Sequence, residues 1–161
     1  MEEDKSLRNI WRDTKMIIPH YVFKTMRDKK IPFSKLCDLR KKWVTFRNTE
    51  IGDDYANDTT YLEYKGHFFS FLTKENEFLL WGENSIRLGD YNIVEKDYPS
   101  YDFVKWLDDR LEKYIKGIYY CSDCEKEIKK DEIAGRYFAG IYCRDCWERE
   151  WKEREEQETY D

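Results

Sequence analysis

The chain has 161 residues, 39% of them charged, with a formal net charge of −5 and an aromatic complement of 6 Trp, 13 Tyr and 9 Phe. That length suits one domain, or one domain with a small appendage, and aromatics that each bury roughly 150–250 Å² supply a core and exclude a disordered chain. No apolar run approaches the roughly 20 residues of a membrane span, and the acidic opening Met-Glu-Glu-Asp is unlike a secretory signal; the expected compartment is the cytosol, with no membrane contact.

Charge is unevenly placed. Residues 1–50 hold 13 Lys/Arg against 7 Asp/Glu, residues 51–117 hold 8 against 14, and residues 118–161 hold 8 against 13. The front is therefore basic and the rest acidic. A first helix is expected near Ser6, with Ile10 and Trp11 inward, and Pro19 either ends it or begins the next. Ser34 is placed as the cap of a helix through Lys35–Phe46, with Leu36, Leu39, Trp43 and Phe46 as its inner stripe. Cys37 lies beside that stripe as a small apolar filler. The opposite face gathers Lys35, Arg40, Lys41, Lys42 and Arg47, a candidate surface for a partner or for nucleic acid. Tyr21–Lys30 and Ser34–Phe46 around Ile31-Pro32-Phe33 also have the order of a helix-turn-helix, without the glycine its turn often carries.

Ile51–Asp58 reads as a loop. Tyr61–Tyr64, His67–Leu72, Glu77–Trp81 and Ile86–Val94 follow as short aromatic-rich segments, separated by Lys65-Gly66, Lys74–Asn76 and Gly82–Ser85, with a turn or bulge at Gly89-Asp90. This predicts an antiparallel meander. Pro99-Ser100 then opens a helix with Phe103, Val104, Leu107, Leu111, Tyr114 and Ile115 as its buried stripe, and Gly117 fits the position just past its end. The fold class is α+β, with N-terminal helices, a meander and a covering helix in residues 1–116, followed by a small module in 117–161.

Cys121-Ser-Asp-Cys124 and Cys143-Arg-Asp-Cys146 are separated by eighteen residues, a spacing known from zinc sites. Two intervening residues let a tight turn aim both sulfurs at one point about 2.3 Å away, and two such turns complete the tetrahedron zinc accepts. Four thiolates leave no open position, so one Zn²⁺ here is structural. The competing use of the motif, thiol–disulfide exchange, comes singly on a βαβ background that is missing here. Ile118-Tyr119-Tyr120 leads into the first pair as a strand, Gly135–Tyr142 forms a hairpin before the second, and Trp147 and Trp151 lie in a charged helical tail. Knuckle, hairpin and helix in this order look like a treble clef.

Residues 119–155 also resemble the zinc-finger half of the DksA/TraR regulators of RNA polymerase. The likeness rests on the two Cys-x-x-Cys pairs, on Ile128 with three residues between it and Cys124, and on the second pair opening the last helix. The chain departs from that pattern at Glu132, in lacking the hairpin proline, and in having a strand-rich domain upstream where the family has a coiled coil. The resemblance implies the zinc fold.

Catalytic signals are sparse. His20 and His67 have no motif around them, Asp53, Asp54 and Asp58 fit no calcium loop, and there is no P-loop. The expectation is a non-enzymatic, zinc-binding intracellular protein that docks on a protein partner and modulates it, with no small-molecule substrate identified. Its charge-rich, Tyr- and Trp-heavy character resembles small phage-encoded host-takeover or anti-defence factors. The alternative is a nucleic-acid-binding transcriptional regulator using the basic N-terminal helices.

Overall fold

The computed structural model describes residues 16–52, 60–74, 76–93, 99–137 and 140–150. Four strands form the expected meander: β2 (Thr60–Tyr64), β3 (His67–Lys74), β4 (Glu77–Trp81) and β5 (Arg87–Asn92). Leu62, Phe69, Phe71, Phe78, Leu80 and Leu88 are buried at every second position of these strands, as one face of a pleated sheet requires. Lys65 (φ 48°) and Gly66 (φ 80°) make the tight β2–β3 turn with both central residues left-handed, which matches the strand twist. At Gly89 (φ 139°) the register of β5 against β4 shifts. Leu80 pairs with Gly89 but Trp81 with Arg87, so one residue bulges, as the glycine suggested.

A fifth strand was not expected. Ile17–Pro19 forms β1, parallel to β2, with Ile17 opposite Tyr61 and Pro19 opposite Glu63. Pro19 thus neither ends a helix nor begins one. It sits in an edge strand, where a missing N–H costs no ladder bond. The sheet order is β1-β2-β3-β4-β5, mixed rather than wholly antiparallel. The helix expected near Ser6 lies outside the described residues, as does most of the loop at 51–58.

Three helices cover the buried face. α1 (Tyr21–Asp28) contributes Phe23 and Met26, α2 (Ser34–Phe46) contributes Leu36 and Trp43, and α3 (Tyr101–Ile115) contributes Phe103, Val104, Leu107 and Leu111. Phe103 is the hub of the core. Its ring centroid lies 5.0 Å from those of Phe33 and Phe78, 5.4 Å from Tyr91 and 6.1 Å from Phe23. The Ser100 hydroxyl caps α3 by accepting the Phe103 N–H at 3.1 Å, and Gly117 (φ 78°) follows the helix in the left-handed conformation that ends it. Ser34 does not cap α2. It is the first helical residue, and Phe33 in the preceding position is already α-helical and makes no side-chain cap. The chain enters already turned, with Lys35 N–H on Pro32 and Leu36 N–H on Phe33, because Phe33 is anchored on Phe103. Along α2, Leu36 and Trp43 are buried while Leu39 and Phe46 are half-buried.

The C-terminal part is built of short pieces. β6 (Ile118–Tyr120) pairs with β7 (Glu127–Lys129), and a single 3₁₀ turn spans Lys130–Glu132. β8 (Gly135–Tyr137) pairs with β9 (Gly140–Tyr142), and residues 144–150 begin α4. Tyr119, Ile128 and Ile141 are buried there. Tyr114 of α3 stands between this part and the sheet, 5.1 Å from Phe69 and 5.8 Å from Tyr119. Among the described residues, no helix is long and apolar enough to cross a membrane.

Candidate metal centre

The loop between β6 and β7 is a knuckle around the first cysteine pair. Cys121 N–H donates to Lys126 O and Glu125 N–H to Cys121 O, each at 2.9 Å, and Glu125 closes the turn in the left-handed region (φ 63°). The loop is tied to the following hairpin in both directions. Ser122 N–H donates to Ile141 O at 2.8 Å, and Ile141 N–H donates to the Ser122 hydroxyl at 3.2 Å. Cys143 follows directly on β9, and Cys146 falls in the first turn of α4, where Trp147 N–H donates to Cys143 O at 2.9 Å.

This arrangement brings Cys121, Cys124, Cys143 and Cys146 together with all four sulfurs within 4.8 Å of one another. A metal 2.3 Å from four thiolates at tetrahedral corners needs sulfur–sulfur edges of about 3.8 Å. The Cys124–Cys143 edge is 3.8 Å, far beyond a disulfide bond, and all four thiols are free. The four side chains are positioned to hold a metal ion. Cys121, Cys143 and Cys146 are buried and Cys124 is exposed, so the site faces solvent on one corner.

The electrostatics favour thiolate formation at one corner and resist it at another. Burial raises the Cys121 thiol, but hydrogen bonding from the backbones of Cys124, Cys143 and Asp123 outweighs this and holds it at about 7. The Cys143 N–H lies 3.4 Å from the Cys121 sulfur. Burial and the neighbouring thiols push Cys146 well above the usual thiol range. A divalent cation held by these four side chains would relieve that crowding, since it would take the place of their protons. Arg149 reaches both the Cys146 sulfur, at 3.8 Å, and the Asp123 carboxylate, bracing α4 against the knuckle.

Other residues singled out in the sequence lie elsewhere. Lys35, Lys41 and Lys42 are exposed on α2. Arg40 is turned inward, donating to Thr73 O at 3.0 Å, and Arg47 is half-buried over the Trp43 ring. Cys37 is half-buried with its sulfur 3.2 Å from the Thr73 hydroxyl, apart from the other cysteines. His20 pairs with Asp108 on α3, and His67 pairs with Glu83 at 2.9 Å. Asp53, Asp54 and Asp58 lie outside the described residues.

The contacts joining the cysteine module to α3 were not foreseen. The Arg110 guanidinium lies 3.4 Å from the Tyr120 ring centroid and donates to Leu88 O at 3.1 Å, and burial lowers its pKa. Tyr120 donates to Asp109 at 2.6 Å; burial and that carboxylate together raise the phenol strongly. Lys113 pairs with Glu127 at 2.9 Å. Arg110 is three residues beyond Leu107 and shares that side of α3, the one signal that could have placed it. Compared with known protein families, with curated proteins and with solved structures, the chain has no match in any of the three.

Proposed function

We propose that this chain is a zinc-stabilised docking protein that binds another protein and modulates it. The observation that carries the reading is at the α1–α3 end of the fold. Arg27, fixed by Asp28 at 3.0 Å, lies 5.2 Å from the ring centroid of Tyr101, a ring that is 69% exposed. Arginine and tyrosine are the side chains that most often dominate binding energy at protein interfaces. Holding the Tyr101 ring outward against Arg27, whose own side chain is only 19% exposed, lowers the entropy lost on docking. Tyr21, at the start of α1, is also 66% exposed.

The metal's role in this reading is to hold the fold. Zinc suits an all-thiolate tetrahedron, and four protein ligands leave it no position for substrate. The order knuckle, hairpin, helix supports a treble clef, and with it the resemblance to the zinc half of DksA/TraR proteins. An intracellular regulator, of the kind phages use against host machinery, fits a charged surface with outward aromatics. The test is capture from cell lysate on the immobilised zinc-loaded chain, with and without nuclease, beside the Tyr101→Ala variant. A protein retained by the wild type, insensitive to nuclease and lost with Tyr101→Ala is expected; retention that disappears with nuclease sinks the reading.

A second reading rests on the lysines. Lys24, Lys30, Lys35, Lys41 and Lys42 are exposed and have no ion-pair partner among the described residues. Among the described residues their charge is therefore not spent on ion pairs with the acidic half, and it is available to phosphates as a nucleic-acid-binding regulator would use it. If so, Lys35→Glu, Lys41→Glu and Lys42→Glu together leave stability unchanged but abolish a salt-sensitive DNA or RNA complex. No complex at physiological salt rejects this reading.

A further inference from the structure

The cysteine module carries a groove of about 610 Å³ between the β7–3₁₀ segment and the start of α4. Ile128, Ile133, Ala134 and Trp147 are the apolar members of its lining, which is otherwise polar. The Trp147 ring is laid against bare backbone: a Cβ built on Gly135 would stand 2.2 Å from it. Side chains of both signs ring the groove. Asp131, Glu132, Asp145 and Glu148 face Lys126 and Arg144, a net charge of −2. Arg144 is already engaged with Glu148 at 3.2 Å. Asp131, Glu132 and Asp145 are exposed and have no ion-pair partner among the described residues; within the groove Lys126 faces these three carboxylates, while Lys129 and Lys130 flank Asp131 on its other side. Cys143 also lines the groove, and a Zn²⁺ held by four thiolates adds about −2 close by.

We propose that this groove docks a lysine- or arginine-bearing peptide segment of a protein partner. The proposal deepens the docking reading above and rests on it. Apolar side chains set beside free carboxylates complement a side chain that is itself apolar along its stem and cationic at its tip. The stem covers Ile133 and the Trp147 ring, while the charged head reaches Asp131, Glu132 or Asp145. A nucleic acid is repelled by the same field, and an acidic peptide likewise. The groove is distinct from the Arg27–Tyr101 end, so a partner can engage both.

The experiment uses the full zinc-loaded chain and two short fluorescein-labelled peptides, one with a leucine flanked by lysines and arginines, the other with the same leucine flanked by glutamates. Fluorescence anisotropy is expected to show binding of the basic peptide only. Asp131→Lys with Glu132→Lys weakens that binding by about tenfold or more, and added salt weakens it further. Lys126→Glu is expected to tighten binding several-fold, an outcome that a merely unfolded variant cannot produce. Zinc content measured on each variant confirms an intact module. The proposal is overturned if the basic peptide fails to bind at about 1 mM, if the acidic peptide binds equally, or if the charge variants leave the affinity unchanged. It is also overturned if sedimentation shows that a second copy of the chain fills the groove and excludes the peptide. Capture of a partner that depends on Tyr101 but not on Glu132 would discard the groove while leaving the docking reading standing.

Discussion

Removing the metal tests how far the cysteine module and the sheet domain are one structure. In comparable peptides four thiolates contribute about 10–16 kcal/mol of apparent zinc binding energy, far more than the short β6–β7 and β8–β9 hairpins can supply alone. A strong chelator is therefore expected to melt residues 118–150. The sheet domain then loses what it shared with the module. Tyr114, packed on Tyr119 at 5.8 Å, gives up part of its buried area, about 2 kcal/mol at 25 cal/mol per Å². Arg110 loses its stacking on Tyr120, worth about 1 kcal/mol, and Asp109 its hydrogen bond, worth about 1 kcal/mol. The Lys113–Glu127 pair is largely exposed and adds little.

The sheet domain should thus remain folded but weakened by about 4 kcal/mol, which for a domain of about 100 residues lowers its Tm by roughly 20 °C. Thermal unfolding followed by circular dichroism, in excess zinc and then in chelator, measures this. The expected trace in chelator is a domain melting below its zinc-bound temperature, with the module already unfolded at the start. Complete loss of structure on adding chelator would refute the argument, because α3 would then depend on the module as its packing partner. An unchanged Tm would refute it from the other side, since the Tyr114, Arg110 and Asp109 contacts would be carrying nothing.

Cys121→Ser or Cys146→Ser should abolish stoichiometric zinc and unfold the module, whereas Cys37→Ser, which sits against Thr73, should leave one zinc per chain by elemental analysis. Phe103→Ala removes the ring at the hub of the core and should cost about 3–5 kcal/mol in denaturant unfolding. Gly135→Ala drives a methyl group into Trp147 and should destabilise the module by about 1–3 kcal/mol, seen as a lower chelator concentration for zinc release. Glu112 accepts hydrogen bonds from Lys65 and Tyr64, which hold its carboxyl below the ordinary 4.5. Its contribution to stability is therefore present above pH 4.5 and lost as pH falls through the lower folded value. An NMR titration of Glu112 with a midpoint at or above 4.5 would contradict this.

The strongest local signals were legible because they depend on few neighbours. Two residues between cysteines shape a turn by themselves, Lys65-Gly66 closes a hairpin by its own dihedral angles, and Ser100 caps α3 three residues from the N–H it accepts. The β1 strand was not legible. Three residues are too few to show a period, and Ile17–Pro19 is a strand only because Tyr61–Glu63, over forty residues later, offers it a parallel ladder. Ser34 misled for a related reason: its capping chemistry is local, but the anchoring of Phe33 on Phe103 is not, and the buried ring set where the helix begins.

The same division separates the metal centre from the surfaces around it. The four ligands follow from spacing alone, since thiolates in two tight turns have a common point to meet at whatever lies upstream. Which charges remain free to meet a partner is a property of packing. Arg40 and Lys41 are adjacent in the chain, yet one is bound to Thr73 O and the other faces solvent. Likewise Asp131, Glu132 and Asp145 look like any exposed acids until the 3₁₀ turn and α4 bring them to one groove over Trp147. Local backbone geometry is written in neighbouring residues; the convergence of distant side chains depends on how the elements stack, and only the folded chain decides it.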